Sequence, residues 1–240
     1  MSEASTERKD LVRERLEFVN IITSLNSQFI DPGLAKITEN NRWTHPWQYF
    51  DALRNYLLLT CFDLLGQPDG FKNFQSWLEA STTIAERNAA LEKASNTNLL
   101  ESIKSVHADY HSVYGAKNSF KRFINEVLPS DSKEQLLFSI RIMKIDTIQK
   151  CEVGEISEES RKIDFLYAMR NAFTHSGVNI GSPAGGLVPN HGAWIIMEGV
   201  PKKGYEPIYW TQKANIRTEH MVRDWPDVLI RTINAGLANA

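Results

Sequence analysis

Three side chains able to act on a phosphodiester fall within six consecutive positions: Arg170, Asn171 and His175, in the string LYAMRNAFTHSG at 166–177. Histidine titrates near neutrality and can shuttle a proton. A planar guanidinium suits a phosphate or a carboxylate, with bidentate contact. Asparagine can hold a hydroxyl or orient an imidazole. Together they supply what metal-free RNA cleavage needs: one group to let the ribose 2′-hydroxyl attack, one to protonate the leaving oxygen, one to stabilise the phosphorane charge. The other reading of the same string is a helix with a polar C-terminal turn whose polar groups are structural.

On a helix advancing ~100° per residue, Asn171 and His175 lie within ~40° of each other, whereas Arg170 is ~140° from His175. Phe165, Leu166, Met169, Ala172 and Phe173 fill the opposite half of the wheel, with Arg170 at its edge. An arginine on the rim of a buried face is costly unless something anionic pairs with it. Convergence of Arg170 with His175 needs the arginine to wrap around, the last turn to loosen before Gly177, or a second chain to supply the other partner.

The elements that must position these groups read as mostly helical. An amphipathic helix is expected over 10–30 and a second from Trp47 to Leu65, apolar almost all round after Tyr56 and therefore central in a bundle. A third helical region, 71–94, is weakened near the STT of 81–83. A long helix over 97–128, capped by Asn96 or Thr97, precedes Pro129. SKEQLLFSIRIMKID reads as a short helix capped by Ser130 or Asp131, CEVGEISEES as an acidic linker, and 158–175 as the motif helix. GVNIGSPAGGLVPNHG is a loop. AWIIMEG and EPIYWTQ, separated by VPKKGY, read as a hairpin whose second strand lies at an edge because of Pro207. The final helix is expected over 218–238, or from Pro226 as PDVLIRTINAGL. The expected domain organisation is a single domain over 1–240, with 1–40 as an N-terminal helical extension and 178–214 as a loop and β-hairpin embellishment.

Composition narrows the partners. The chain has 240 residues, 42% hydrophobic and 23% charged, enough for a sizeable core. A formal net charge of −2 gives no global basic field, so any nucleic acid must meet a local patch. Cys61 and Cys151 lie far apart and show no ligand spacing, which points to a reducing compartment. MSEASTERKD lacks the apolar core of a signal peptide, and YLLLTCFDLL is too short to span a bilayer and contains Asp63. A cytoplasmic protein without membrane partners is the expectation.

The string Arg170-Asn171-Ala172-Phe173-Thr174-His175 resembles the Arg-x(4–6)-His motif of the HEPN superfamily, in its form with a polar residue after the arginine. Its place at the end of a late helix, before Ser-Gly, is similar too. The helix YFDALRNYLLLTCFDLLG resembles the early helix of such domains, and the bundle likeness covers about 40–240. The resemblance implies a HEPN-type antiparallel helical bundle, here with a small β-hairpin before the C-terminal helix. It also implies a homodimer in which two 158–175 helices build one composite ribonuclease site from Arg170, Asn171 and His175. Many such proteins are toxins or phage-defence ribonucleases acting on single-stranded RNA, some held by an antitoxin or regulatory partner; others have lost catalysis and serve as modules binding a nucleotide or protein. Toxins silenced by nucleotidylation carry a tyrosine two residues after the histidine, where this chain has Gly177. No cofactor is implied.

Other constellations are weaker. His107 and His111 sit four apart, a spacing that can chelate a metal, but no third ligand is apparent, and no metal is expected. His111, Tyr114, Lys117, Phe120, Lys121 and Arg122 form a basic, aromatic stretch that suits either an RNA groove or a helix with one charged and one core face. Lys202, Lys203 and Tyr205 in the hairpin turn, with Tyr209 and Trp210 beyond, could grip substrate, or the hairpin could simply pack Trp194, Ile196 and Trp210 on the bundle. Asp164 shares the face of Asn171 and His175 but lies too far along the axis to touch His175. GSPAGG lacks the Lys-Ser/Thr ending of a phosphate-binding loop.

Overall fold

The computed structural model describes residues 3–29, 46–94, 98–176, 187–188, 192–193 and 205–239. It is mainly helical with a small antiparallel sheet. Helices α1 (Glu3–Phe29) and α2 (Pro46–Leu65) pack along each other. As its all-round apolar character requires, α2 is central: Leu58, Leu59, Cys61 and Phe62 are fully buried, and Val12 and Val19 of α1 share their cluster. Each such leucine or phenylalanine contributes about 2 kcal/mol of burial. Asn55, Thr60 and Asp63 are buried on the same helix, so its polar groups must find partners inside.

Segment 71–94 forms α3 (Phe74–Glu79), a 3₁₀ turn at Ser81–Thr83 and α4 (Ile84–Ala94), broken where the STT string weakens the helix. With α5 (Leu99–Tyr114) it buries a second cluster of Trp77, Ala90, Ala94, Val106, Tyr110 and Tyr114. Asn98 caps α5, its side chain accepting from Glu101 N at 3.0 Å, one or two residues beyond the expected cap.

The single helix expected over 97–128 is instead α5, a corner at Gly115, α6 (Ala116–Arg122) and a π-helical turn at Phe123–Val127. At the corner, a Cβ on residue 115 would stand 2.4 Å from the His111 carbonyl oxygen, so only glycine fits. Asn118 Nδ2 donates to the carbonyls of His111 (2.8 Å) and Ser112 (2.9 Å), satisfying the freed end of α5. Backbone approach is closer still between the end of α2 and α6, where a Cβ on Gly66 would lie 1.8 Å from Ser119 O.

The sheet departs most from expectation. After α7 (Ser130–Phe138), Arg141 to Asp146 lie not in a helix but in strand β1 (Ile140–Asp146), and the expected acidic linker contains the edge strand β2 (Cys151–Glu155). The chain then forms α8 (Glu159–Ser176), β3 (Leu187–Val188), β4 (Gly192–Ala193), β5 (Glu206–Lys213), β6 (Ile216–Val222) and α9 (Asp227–Asn239). Sheet order is β2-β1-β6-β5-β4-β3. EPIYWTQ pairs on one side with IRTEHMV, across the two-residue turn Ala214–Asn215, and on the other, antiparallel, with Ala193 of the expected partner AWIIMEG at Trp210; 194–199 lie outside the described residues. Pro207 sits in a strand flanked on both sides, at a register shift between Pro207 and Tyr209. Residues 218–222 are strand and α9 begins after Pro226, as its proline dictates. The small hairpin expected within 178–214 is therefore a sheet reaching from 140 to 222.

Candidate active site

Helix α8 lays Leu166 and Met169, both essentially buried, against the core built on α2. That packing turns Arg170 toward α2 and settles the problem its rim position raised. Its Nε donates to Asp63 Oδ2 at 2.8 Å and its Nη2 lies 2.7 Å from the same oxygen, the side chains being 19% and 10% exposed. Its Nη1 donates to Asn171 Oδ1 at 3.1 Å. The polar residue after the arginine thus steadies the guanidinium in this arrangement.

Burial dominates the electrostatics. It pushes the Asp63 carboxyl from about 3.8 up to about 6, against the opposing pull of Arg170 and, less, of Arg15. Arg15 comes from α1, and its Nη1 donates to Thr60 Oγ1 at 2.7 Å, one helical turn before Asp63. Burial also raises the Cys61 thiol to about 12, which keeps it protonated and unreactive. Asp63 Oδ1 is buried and finds no hydrogen-bond partner among the described residues; the same is true of Ser119 Oγ.

These groups share a cavity of about 340 Å³, walled by Arg15, Tyr56, Asp63, His111, Ser119 and Arg170 among others. It gathers residues of α1, α2, α5, α6 and α8.

No family model, no curated protein and no solved structure matches the chain.

Of the residues singled out by sequence, Arg170 and Asn171 meet as a pair. His175 lies on α8 five residues further on, ~7.5 Å along the axis; its side chain is outside the described residues, as are Lys202, Lys203, Trp194 and Ile196. Tyr205 is 8% exposed, donates to Phe138 O at 2.6 Å and packs with Met143 and Met221, a packing position and not a face offered to a base. Trp210 lies under Arg217 at 5.8 Å. Lys121 and Lys117 reach Asp164 at 2.9 and 3.8 Å, Arg122 reaches Glu126, and Tyr114 and Phe120 are buried, so the basic stretch, split between α5 and α6, pairs its charges locally and turns Tyr114 and Phe120 to the core. His107 and His111 bring their Nε2 atoms within 2.9 Å of each other. Among the described residues no cluster of three or more metal-ligating side chains occurs.

Sequence reading passed over Asp63, Arg15 and Tyr56. Asp63 did carry a signal: a lone carboxylate in YLLLTCFDLL must be paired or neutralised once that helix is buried. Arg15 carried none, since exposed arginines on an amphipathic helix look alike in sequence.

Proposed function

We propose that the chain is a metal-independent endoribonuclease acting on single-stranded RNA as a homodimer of HEPN type. The observation that carries this reading is the Asp63–Arg170–Asn171 network: a guanidinium held from two sides at the wall of a cavity, on the helix that carries His175. In this reading Arg170 receives the scissile phosphate and stabilises the charge of the phosphorane. His175 exchanges the proton with the 2′-hydroxyl or the leaving oxygen, and Asn171 keeps the guanidinium oriented. Two 158–175 helices meet across a two-fold axis, because a symmetric interface presents the same patch twice. A toxin or phage-defence role under an antitoxin or another regulatory partner fits such an enzyme.

The test is incubation of the purified protein with single-stranded RNA in EDTA. Fragments ending in 2′,3′-cyclic phosphate are expected, and intact RNA throughout would sink the reading. The second reading is a non-catalytic module binding a nucleotide or protein. It is favoured by the same ion pair, since an arginine already bound to a buried carboxylate has a sufficient structural reason to exist.

A further inference from the structure

We propose that the cavity beside Arg170 is a base pocket that takes a guanine nucleotide of the RNA. The idea rests on the ribonuclease reading only in that the base belongs to the strand whose phosphate meets Arg170.

Size, charge and wall chemistry agree on a nucleotide. About 340 Å³ is at the small end of ligand pockets and holds one base with its ribose. Two guanidiniums, Arg15 and Arg170, face one carboxylate, Asp63, so the cavity keeps an excess of positive charge for a phosphate. Tyr56 and Phe71, both partly exposed, line it and give aromatic surface for a base, while Tyr110 and Tyr114, also in its wall, are buried. Two of these rings are anchored: Tyr110 Oη donates to Lys72 O at 2.9 Å and Tyr114 Oη to Glu86 Oε2 at 3.2 Å. They also stack on each other, with centroids 5.4 Å apart. Anchored in this way, they hold the wall of the cavity in place.

The choice of base follows from the two buried oxygens that no described residue satisfies, Asp63 Oδ1 and Ser119 Oγ. Asp63 is 7% exposed and Ser119 1%, so neither is fully served by water. An ionised carboxylate only accepts, whereas a hydroxyl donates as well. Guanine alone sets two adjacent N–H donors, N1 and N2, beside an acceptor, O6. Adenine and cytosine put a ring-nitrogen acceptor next to their amino group, and uracil flanks its one N–H with carbonyls. Asp63 Oδ1 therefore receives the guanine N–H edge while Ser119 donates to O6, and Oδ2 stays with Arg170.

Calorimetric titration of the full chain with 5′-GMP, 5′-IMP, 5′-AMP and 5′-UMP at one ionic strength tests this. GMP should bind about tenfold or more tighter than AMP or UMP, the scale of a hydrogen bond to a charged group. IMP, which lacks the 2-amino group, should fall between. Ser119→Ala should weaken GMP several-fold and leave UMP unchanged, and Ala116→Phe, which fills the cavity, should abolish GMP binding. Equal affinity for the four nucleotides, no binding at all, or GMP binding indifferent to Ser119→Ala overturns the proposal. Should Ala116→Phe fail to fold, the IMP comparison and Ser119→Ala still decide. GMP selectivity without RNA cleavage would leave the pocket standing and remove the ribonuclease; cleavage without GMP selectivity would do the reverse.

Discussion

Arg170 and Asp63, 107 positions apart, share one carboxylate oxygen at 2.7 and 2.8 Å in the interior between α8 and α2. A part-buried charged pair costs desolvation that its own attraction only partly offsets. The pair also ties the helix carrying the motif to the most buried helix of the protein.

Removing one partner strands the other. Asp63→Ala should destabilise the fold by about 2 kcal/mol, less than for a fully buried pair, because Arg170, 19% exposed, loses its main anion. The double substitution Asp63→Leu with Arg170→Met should recover most of that loss, since similar-sized apolar groups carry no desolvation cost. Urea unfolding of the two variants checks this. A double variant as unstable as the sum of the single ones would contradict it.

The pH dependence of stability should carry the mark of Asp63. Its folded carboxyl sits at about 6, above its ordinary 3.8, so the fold favours the protonated form. That contribution is complete below about pH 3.8 and is lost as pH rises through about 6. Arg170 and Arg15 face Asp63 from α8 and α1. The stability difference between wild type and Asp63→Asn should therefore move by roughly 2 kcal/mol in the wild type's favour from pH 8 to pH 4. Thermal melts of both proteins across that range would show it, and a flat difference would remove Asp63 as the buried acid.

Gly66→Ala should disturb both fold and site. The new methyl would stand 1.8 Å from Ser119 O, a backbone atom, so α2 and α6 must part. The cost is expected at the upper end of overpacking, about 3 kcal/mol. Gly154→Ala, whose added Cβ meets nothing within 4 Å, is the control and should stay within about 0.5 kcal/mol. Equal melting temperatures for the two would mean that the helices yield.

If the ribonuclease reading holds, His175→Ala should lower the cleavage rate ~10²–10⁴-fold, the usual contribution of a general acid or base. Arg170→Ala should weaken RNA binding as well as the rate, and should also lose stability through the stranded Asp63. Asn171→Ala should cost less than either. Heterodimers of Arg170→Ala with His175→Ala should regain part of the activity if each half-site draws on both chains. A fully active, strictly monomeric enzyme at assay concentrations would exclude a shared site.

Period, length and proline punctuation mark helices over 10–30, 47–65, 158–175 and after Pro226, and the structure has them at Glu3–Phe29, Pro46–Leu65, Glu159–Ser176 and Asp227–Asn239, the turns before residue 10 being the part that the pattern does not show. The break at 81–83 was visible in its hydroxyl and β-branched residues. Strand β1 was not, because IRIMKID follows a helical string without a turn signal, and a short apolar run does not distinguish strand from helix. Strand β2 is exposed along its length, so it carries no alternation to read. Both are strands only because β6 lies in register beside β1, which in turn pairs β2, a pairing between segments some seventy residues apart. The corner at Gly115 likewise needed the neighbouring carbonyl of His111 to be known.

For the site, residue order alone places the chemical groups together on one helix, Arg170 beside Asn171 with His175 a turn further, and requires an anion for a rim arginine. Spacing along a chain specifies neighbours within a helix and nothing beyond it. That the anion is Asp63, that Arg15 joins from α1, and that a cavity opens among them follow from the folded chain. Those contacts depend on how helices distant in sequence pack, and packing is set by the burial of Leu58, Phe62, Leu166 and Met169 together, not by any one segment.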